Sequence, residues 1–196
     1  SQHDLLWWQR ALPRMPATAA MRKPPRDGDK VIVTDASLSG QGMCLYQTVP
    51  DAREAKPEEA LALAFGKFAH RGVPGDMMLL EALAALTAVQ RWARLFEHDT
   101  GYIMLDNQPL ELAWKKGRSK SPRVNDVLRE ALLVLLEHDA QIFPLRVQSS
   151  DNTVADALSR VFEPSSTGWA EVQSWKLERQ VCQLPVCPVP RSPSHL

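Results

Sequence analysis

The apolar positions fall into separate runs whose periods predict a mixed α/β domain. Val31-Ile32-Val33-Thr34 runs straight into Asp35, and a Ser/Gly turn separates it from a second β-prone run ending at Tyr46. That pattern predicts a hairpin, with strands at roughly 30–35 and 42–49 and a carboxylate closing the first. A polar insert, 50–59, follows, and the Leu61/Leu63/Phe65 alternation suits a third strand within 60–70. Gly72-Val73-Pro74-Gly75 then resets the chain. Met77 to Phe96, rich in Ala and Leu, is predicted helix. Tyr102 to Leu105 is a short buried strand ending at Asp106, and Asn107-Gln108-Pro109 opens another helix. Val127, Leu128, Ala131, Leu132, Leu135 and Leu136 recur at helical spacing within 125–138. Residues 141–148 alternate as a last strand, Ser149 to Asn152 form a turn and cap, and 153–160 form a short helix.

These elements add up to an α/β domain over 30–162, with a mixed five-stranded sheet and helices on both faces. Residues 1–29 are expected to be an extension, or the connection to a preceding domain. Asp4 to Leu12 suits one amphipathic helix, and prolines at 13, 16, 24 and 25 end regular structure there. Trp7 and Trp8 are expected to pack on protein, with a base-stacking platform as the alternative. Residues 163–196 read as a second extension, with Trp169 and Trp175 as anchors. Pro185, Pro188, Pro190 and Pro193 mark an extended or disordered tail. The first residue is Ser1, not Met, so a fragment of a longer polyprotein, or a trimmed form, is expected.

Composition narrows the partners. With 23 basic and 23 acidic residues the net charge is zero, so any nucleic-acid binding must come from a local patch. Lys115, Lys116, Arg118, Lys120 and Arg123 supply one, within nine residues that contain no acid. Three cysteines, Cys44, Cys182 and Cys187, make neither a disulfide framework nor a zinc site, which points to a reducing compartment. No signal peptide is visible. The longest apolar run, Met77 to Val89, is interrupted by Glu81 and is too short to span a bilayer. An intracellular location, cytoplasmic or nuclear, with no membrane partner, is expected.

Four carboxylates then stand out. Asp35 and Asp106 each follow a buried strand; if those strands are parallel neighbours, both acids emerge at one sheet edge, where open α/β sheets place their sites. Glu81 is the only charge between Asp76 and Arg91, and Met77, Met78, Ala84 and Ala85 around it cannot pair with it. It is therefore exposed or bound to something cationic. Asp156 lies one turn inside the last helix, where pairing with Arg160 is the simpler explanation. Together the four are hard-oxygen ligands suited to Mg²⁺ or Mn²⁺, not zinc. Two such ions about 3.5–4 Å apart can clamp both oxygens of a phosphodiester displacement.

With those pieces in order, residues 30–160 resemble the ribonuclease H domain of retroelement reverse transcriptases. The resemblance rests on Thr34-Asp35-Ala36-Ser37 with Gly40 and Gly42, on Leu80-Glu81-Ala82 through Leu86, on Leu105-Asp106-Asn107, and on Asn152-Thr153-Val154-Ala155-Asp156-Ala157-Leu158-Ser159-Arg160. Leu5-Leu6-Trp7-Trp8 and Ser119 to Asn125 look most like DIRS-type elements, with gypsy-type next. The resemblance implies hydrolysis of the RNA strand of RNA:DNA hybrids by two Mg²⁺ ions, with Mn²⁺ as a possible substitute. Asp35 would bridge both ions, Glu81 and Asp106 would serve the leaving-group side, and Asp156 the water-activating side. Products would carry 5′-phosphate and 3′-hydroxyl. A covalently linked reverse-transcriptase domain is the implied partner.

The A-form minor groove and its 2′-hydroxyls would identify the RNA strand. Ser37, Gly40, nearby backbone amides and Asn107 are the candidate contacts there, and the basic stretch 115–123 is the candidate phosphate contact. Recombinases and integrases, which are similar in fold, usually place Glu last on a late helix, whereas Glu81 comes second here. One departure is the absence of histidine from Val147 to Ala155, where many family members carry one. Ser149, Ser150 or Asp151 with water would have to substitute. The rival reading is a catalytically idle scaffold in a larger assembly.

Overall fold

A computed structural model describes residues 2–15, 29–48, 55–163, 167–175 and 181–190. Parts of the polar insert, the prolines at 16, 24 and 25, and Pro193 lie outside them. Six strands make one mixed sheet: β1 (Val31–Ala36), β2 (Gly40–Tyr46), β3 (Ala62–Lys67), β4 (Thr100–Leu105), β5 (Gln141–Arg146) and β6 (Val181–Gln183). They lie in the order β5-β4-β1-β2-β3-β6. The first three form an antiparallel meander, β4 and β5 add in parallel beside β1, and β6 adds in parallel beside β3.

The sixth strand corrects the five expected from sequence. At three residues β6 is too short for a period to show, and Pro185 follows it closely. Its position explains its existence: it covers the edge of β3 that the meander would otherwise leave open. Beyond it, Phe68 bridges to Cys187, and Leu184, Cys187 and Val189 pack on the core. The described part of the Pro-rich stretch, through Pro190, is therefore laid along the sheet.

Both faces of the sheet are covered. On one, α2 (Met77–Trp92) is buried nearly all round, because it lies between the sheet and α4 (Pro122–Glu137). Its alanines at 82, 84, 85 and 88 let the helix approach the strands closely. The α4 helix begins three residues before the expected Asn125, because Ser121 Oγ accepts from Val124 N and Pro122 suits the first turn. Between α2 and α4 in sequence runs α3 (Gln108–Lys116), ended by Gly117 in the left-handed region at φ 64°. On the opposite face lie α5 (Thr153–Ser159) and α6 (Gly168–Ser174), with Val172 and Trp175 in a second core under Phe65 and Leu158. No helix among the described residues is long and apolar enough to cross a membrane.

The N-terminal helix α1 (Gln2–Ala11) lies along α4. Arg10 makes a bidentate pair with Glu130 at 2.7 and 2.9 Å, Arg14 pairs with Glu137, and Arg129 pairs with Asp4. Trp7 is half-buried and donates from Nε1 to Arg129 O, whereas Trp8 stacks edge-on against Trp7 and is 45% exposed.

The approach of α5 to β2 is backbone against backbone. A side-chain carbon at Gly42 would lie 2.2 Å from Ala155 O and 2.6 Å from Ser159 N, both backbone atoms of α5. Glycine is required there by space. Gly42→Ala should push α5 off the sheet and cost about 1–3 kcal/mol of stability, read as a lower urea midpoint.

Candidate metal centre

Strand register brings the first two acids together. Val33 of β1 lies beside Met104 of β4, so two residues further along each parallel strand Asp35 and Asp106 are neighbours on one face. Glu81 arrives from the other face, from α2, and its carboxylate accepts a hydrogen bond from the Ala36 amide at the end of β1. One oxygen from each of Asp35, Glu81 and Asp106 lies within 4.8 Å of the others. The cluster sits at the carboxyl ends of β1 and β4. β1 has a parallel neighbour on one side and an antiparallel one on the other.

Asp35 and Glu81 are 5% and 4% exposed, and Asp106 is half-buried. Ser159 Oγ donates to Asp35 Oδ2 at 2.6 Å, and Ser149 Oγ donates to Asp106 Oδ2 at 2.8 Å. Neither Asp35 nor Glu81 has an ion-pair partner among the described residues. Burial is the main force on the Asp35 carboxyl and pushes it up to about 7; the Ser159 hydrogen bond opposes it, and the charges of Asp106 and Asp156 add to it. Burial likewise raises Glu81 well above the ordinary carboxylate range, helped by Asp35 and Asp106. The charge of Arg160, which is paired with Asp156, is the smallest influence on Asp35. Hard oxygen donors, largely buried and without an ion pair of their own, fit a divalent ion such as Mg²⁺ or Mn²⁺.

Asp156 stands apart from this group. Arg160 Nε donates to its Oδ1 at 2.7 Å, the pairing that the i,i+4 spacing suggests. Its charge is nevertheless felt at both Asp35 and Glu81. The structure thus brings three of the four acids together and holds the fourth nearby on a guanidinium.

Several other expected contacts have partners inside the protein. Ser37 is buried; its Oγ donates to Ser159 O and accepts from the amides of Ser39 and Gly40. The Ser37 amide donates to Gly40 O. Asn107 caps α3 by accepting from Leu110 N. Lys115 pairs with the buried Glu111, and Arg123 binds Asp76 and Pro190 O. Lys116, Arg118 and Lys120 line a groove of about 530 Å³ with Met78, Pro109 and Leu112, and make no ion pair among the described residues. Ser159 is the residue that sequence reasoning passed over. Its one signal is a small polar side chain three residues after Asp156 in an otherwise apolar turn.

No protein-family model matches the sequence, and no curated protein matches it. Solved structures match in shape. A ribonuclease H1 from the archaeon Halobacterium salinarum NRC-1 superposes with a TM-score of 0.52 at 18% identity, over 67% of this chain and 95% of that one. The N-terminal RNase H domain of a Mycobacterium tuberculosis protein, fused to maltose binding protein, gives 0.52 at 19% identity, over 74% and 96%. LC11-RNase H1 in complex with an RNA/DNA hybrid gives 0.50 at 13% identity, over 66% and 93%. The chain therefore has a ribonuclease H-like α/β fold.

The raised carboxyls link stability to pH. The folded protein holds protons on Asp35 and Glu81 that the unfolded chain releases above about pH 4. In chelator, the Asp35 contribution to stability should therefore fall as pH rises from about 4 to 7 and level off above that value, and the Glu81 contribution should fall with rising pH in the same sense. Asp35→Asn should flatten that fall and raise the chelator-state melting temperature at pH 8. An unchanged pH profile in thermal melts would contradict the burial argument.

Proposed function

We propose that this chain is a divalent-metal-dependent ribonuclease H, which hydrolyses the RNA strand of RNA:DNA hybrids as part of a retroelement reverse transcriptase of DIRS or gypsy type. The convergence of Asp35, Glu81 and Asp106, two of them buried with no ion-pair partner among the described residues, carries this reading. A fold alone hosts many functions; buried carboxylates without partners on that fold argue for a metal-dependent one.

Asp35, Glu81 and Asp106 would hold the metal, and Asp156 would join them once freed from Arg160. Bound divalent ions supply Lewis-acid stabilisation of phosphate oxygens and lower the pKa of a coordinated water. Strand ends fix the backbones of Asp35 and Asp106, and the hydroxyls of Ser159 and Ser149 hold one oxygen of each carboxylate, so the two ligands are preorganised. Ser149, hydrogen-bonded to Asp106 in the loop that lacks the family histidine, would hold a water or a departing product, with Ser150 and Asp151 beside it as the alternatives. Lys116, Arg118 and Lys120 offer their charges to the backbone of the hybrid. The hybrid named for LC11-RNase H1 fits this ligand class. The idle-scaffold reading is favoured by one observation, the pairing of Asp156 with Arg160.

A labelled RNA:DNA hybrid incubated with Mg²⁺, Mn²⁺ or chelator tests the proposal. Cleavage should require metal, leave 5′-phosphate and 3′-hydroxyl ends, and vanish in Asp106→Asn. If Asp106→Asn cuts as fast as the parent, the catalytic reading fails, and a parent that cuts under no metal condition supports the scaffold. For the groove, Lys116→Ala with Arg118→Ala and Lys120→Ala should weaken hybrid binding and reduce the log–log salt slope by up to roughly 0.9 for each phosphate no longer neutralised. An unchanged slope would return these side chains to plain solvent exposure.

A further inference from the structure

Asp35 sits at the end of a strand, which fixes its backbone but not its carboxylate. The last torsion of an Asp side chain is broad and roughly two-fold, so a donor is needed to hold one orientation. Among the described residues the side-chain donor is Ser159, fully buried, with its Oγ 2.6 Å from Asp35 Oδ2. The same Oγ lies 2.9 Å from Asp156 O on its own helix. Its backbone is clamped as well. Ser37 Oγ donates to Ser159 O at 2.8 Å, and side-chain carbons at Gly40 and Gly42 would each come within 2.6 Å of Ser159 backbone atoms. The Ser159 backbone therefore cannot shift without moving α5, and its Oγ can leave the carboxylate only by rotating about χ1.

We infer that Ser159 is a positioning residue: it holds the Asp35 carboxylate in the orientation that the three-acid cluster uses, and so sets the affinity of the site for its divalent ion. This rests on the metal-dependent reading proposed above. The single Ser159 hydroxyl proton has two acceptors in reach, Asp35 Oδ2 at 2.6 Å and Asp156 O at 2.9 Å, and the shorter contact is to Asp35. Oγ bonds neither the Glu81 nor the Asp106 side chain, so it acts through Asp35. A purely structural role, docking α5 on the sheet, is the alternative. Ser37 separates the two roles, because it ties the same segments together through Ser159 O without bonding the Asp35 carboxylate.

The test is calorimetric titration of the full chain with MnCl₂, without hybrid, alongside urea melts. Ser159→Ala should weaken Mn²⁺ binding by about tenfold or more, the usual scale when a ligand loses its hydrogen-bonding support. Ser159→Cys keeps a similar shape with a poor donor and should fall between parent and Ser159→Ala, which preserves the test if the alanine variant folds badly. Ser37→Ala should lose stability and keep the parent affinity for Mn²⁺. Parent affinity in Ser159→Ala overturns this inference alone. So does an equal loss of affinity in Ser37→Ala, which would assign the effect to docking. A parent that binds no Mn²⁺ overturns the metal-dependent reading and this inference with it.

Discussion

Burial of carboxylates side by side is the constraint around which this domain is built, with desolvation the larger cost and mutual repulsion adding to it. Asp35 and Glu81 come from a strand and from a helix packed against the sheet, meet Asp106, and make no ion pair among the described residues; Arg160, paired with Asp156, offsets Asp35 only weakly. Uncompensated buried charge costs several kcal/mol, and apolar residues of similar size in such places are often neutral or better. Stability alone does not account for the cluster. Both carboxyls respond by holding protons to higher pH than an exposed acid would, Asp35 to about 7. A divalent ion would remove the conflict and bind the folded form selectively.

The rest of the fold keeps that cluster from relaxing. β1 is buried along its whole length, and Asp35 is held in the ladder with Gly42 of β2, two residues beyond the last β1–β4 pair at Val33 and Met104. α2 is pinned between the sheet and α4, which fixes Glu81. On the other face, Asn152 Nδ2 donates to Thr34 O and holds the start of α5 against β1, while the two glycines of β2 admit the end of α5. The outer parts of the chain reinforce the same frame. Arg123 ties α4 to Asp76 at the start of α2 and to the tail at Pro190, and β6 closes the edge of β3.

Much of the site was legible because it violates local rules. Glu81 is conspicuous as a lone charge on an apolar helix, and Asp35 and Asp106 as acids closing buried strands. Each needs a tertiary explanation, and a shared one is the simplest. Asp156 obeys a local rule, and its pairing with Arg160 is what its spacing suggests; its separation from the other three is a tertiary fact that spacing does not carry. Ser37 and Asn107 looked like ligand contacts because turns and caps use the same small polar residues as binding sites. Their partners are backbone groups of the protein itself. β6 escaped detection because three residues have no measurable period, and only the open edge of β3 gives them a place. Ser159 escaped because a serine on a helix says nothing until the strand opposite it is known.

Crystals grown with saturating Mn²⁺ and measured near the manganese edge test the central claim most directly. The account predicts an anomalous peak at coordination distance from Asp35, Glu81 and Asp106, absent when Asp35 is replaced by Asn. Well-ordered crystals in saturating Mn²⁺ with no peak among those three carboxylates would contradict it.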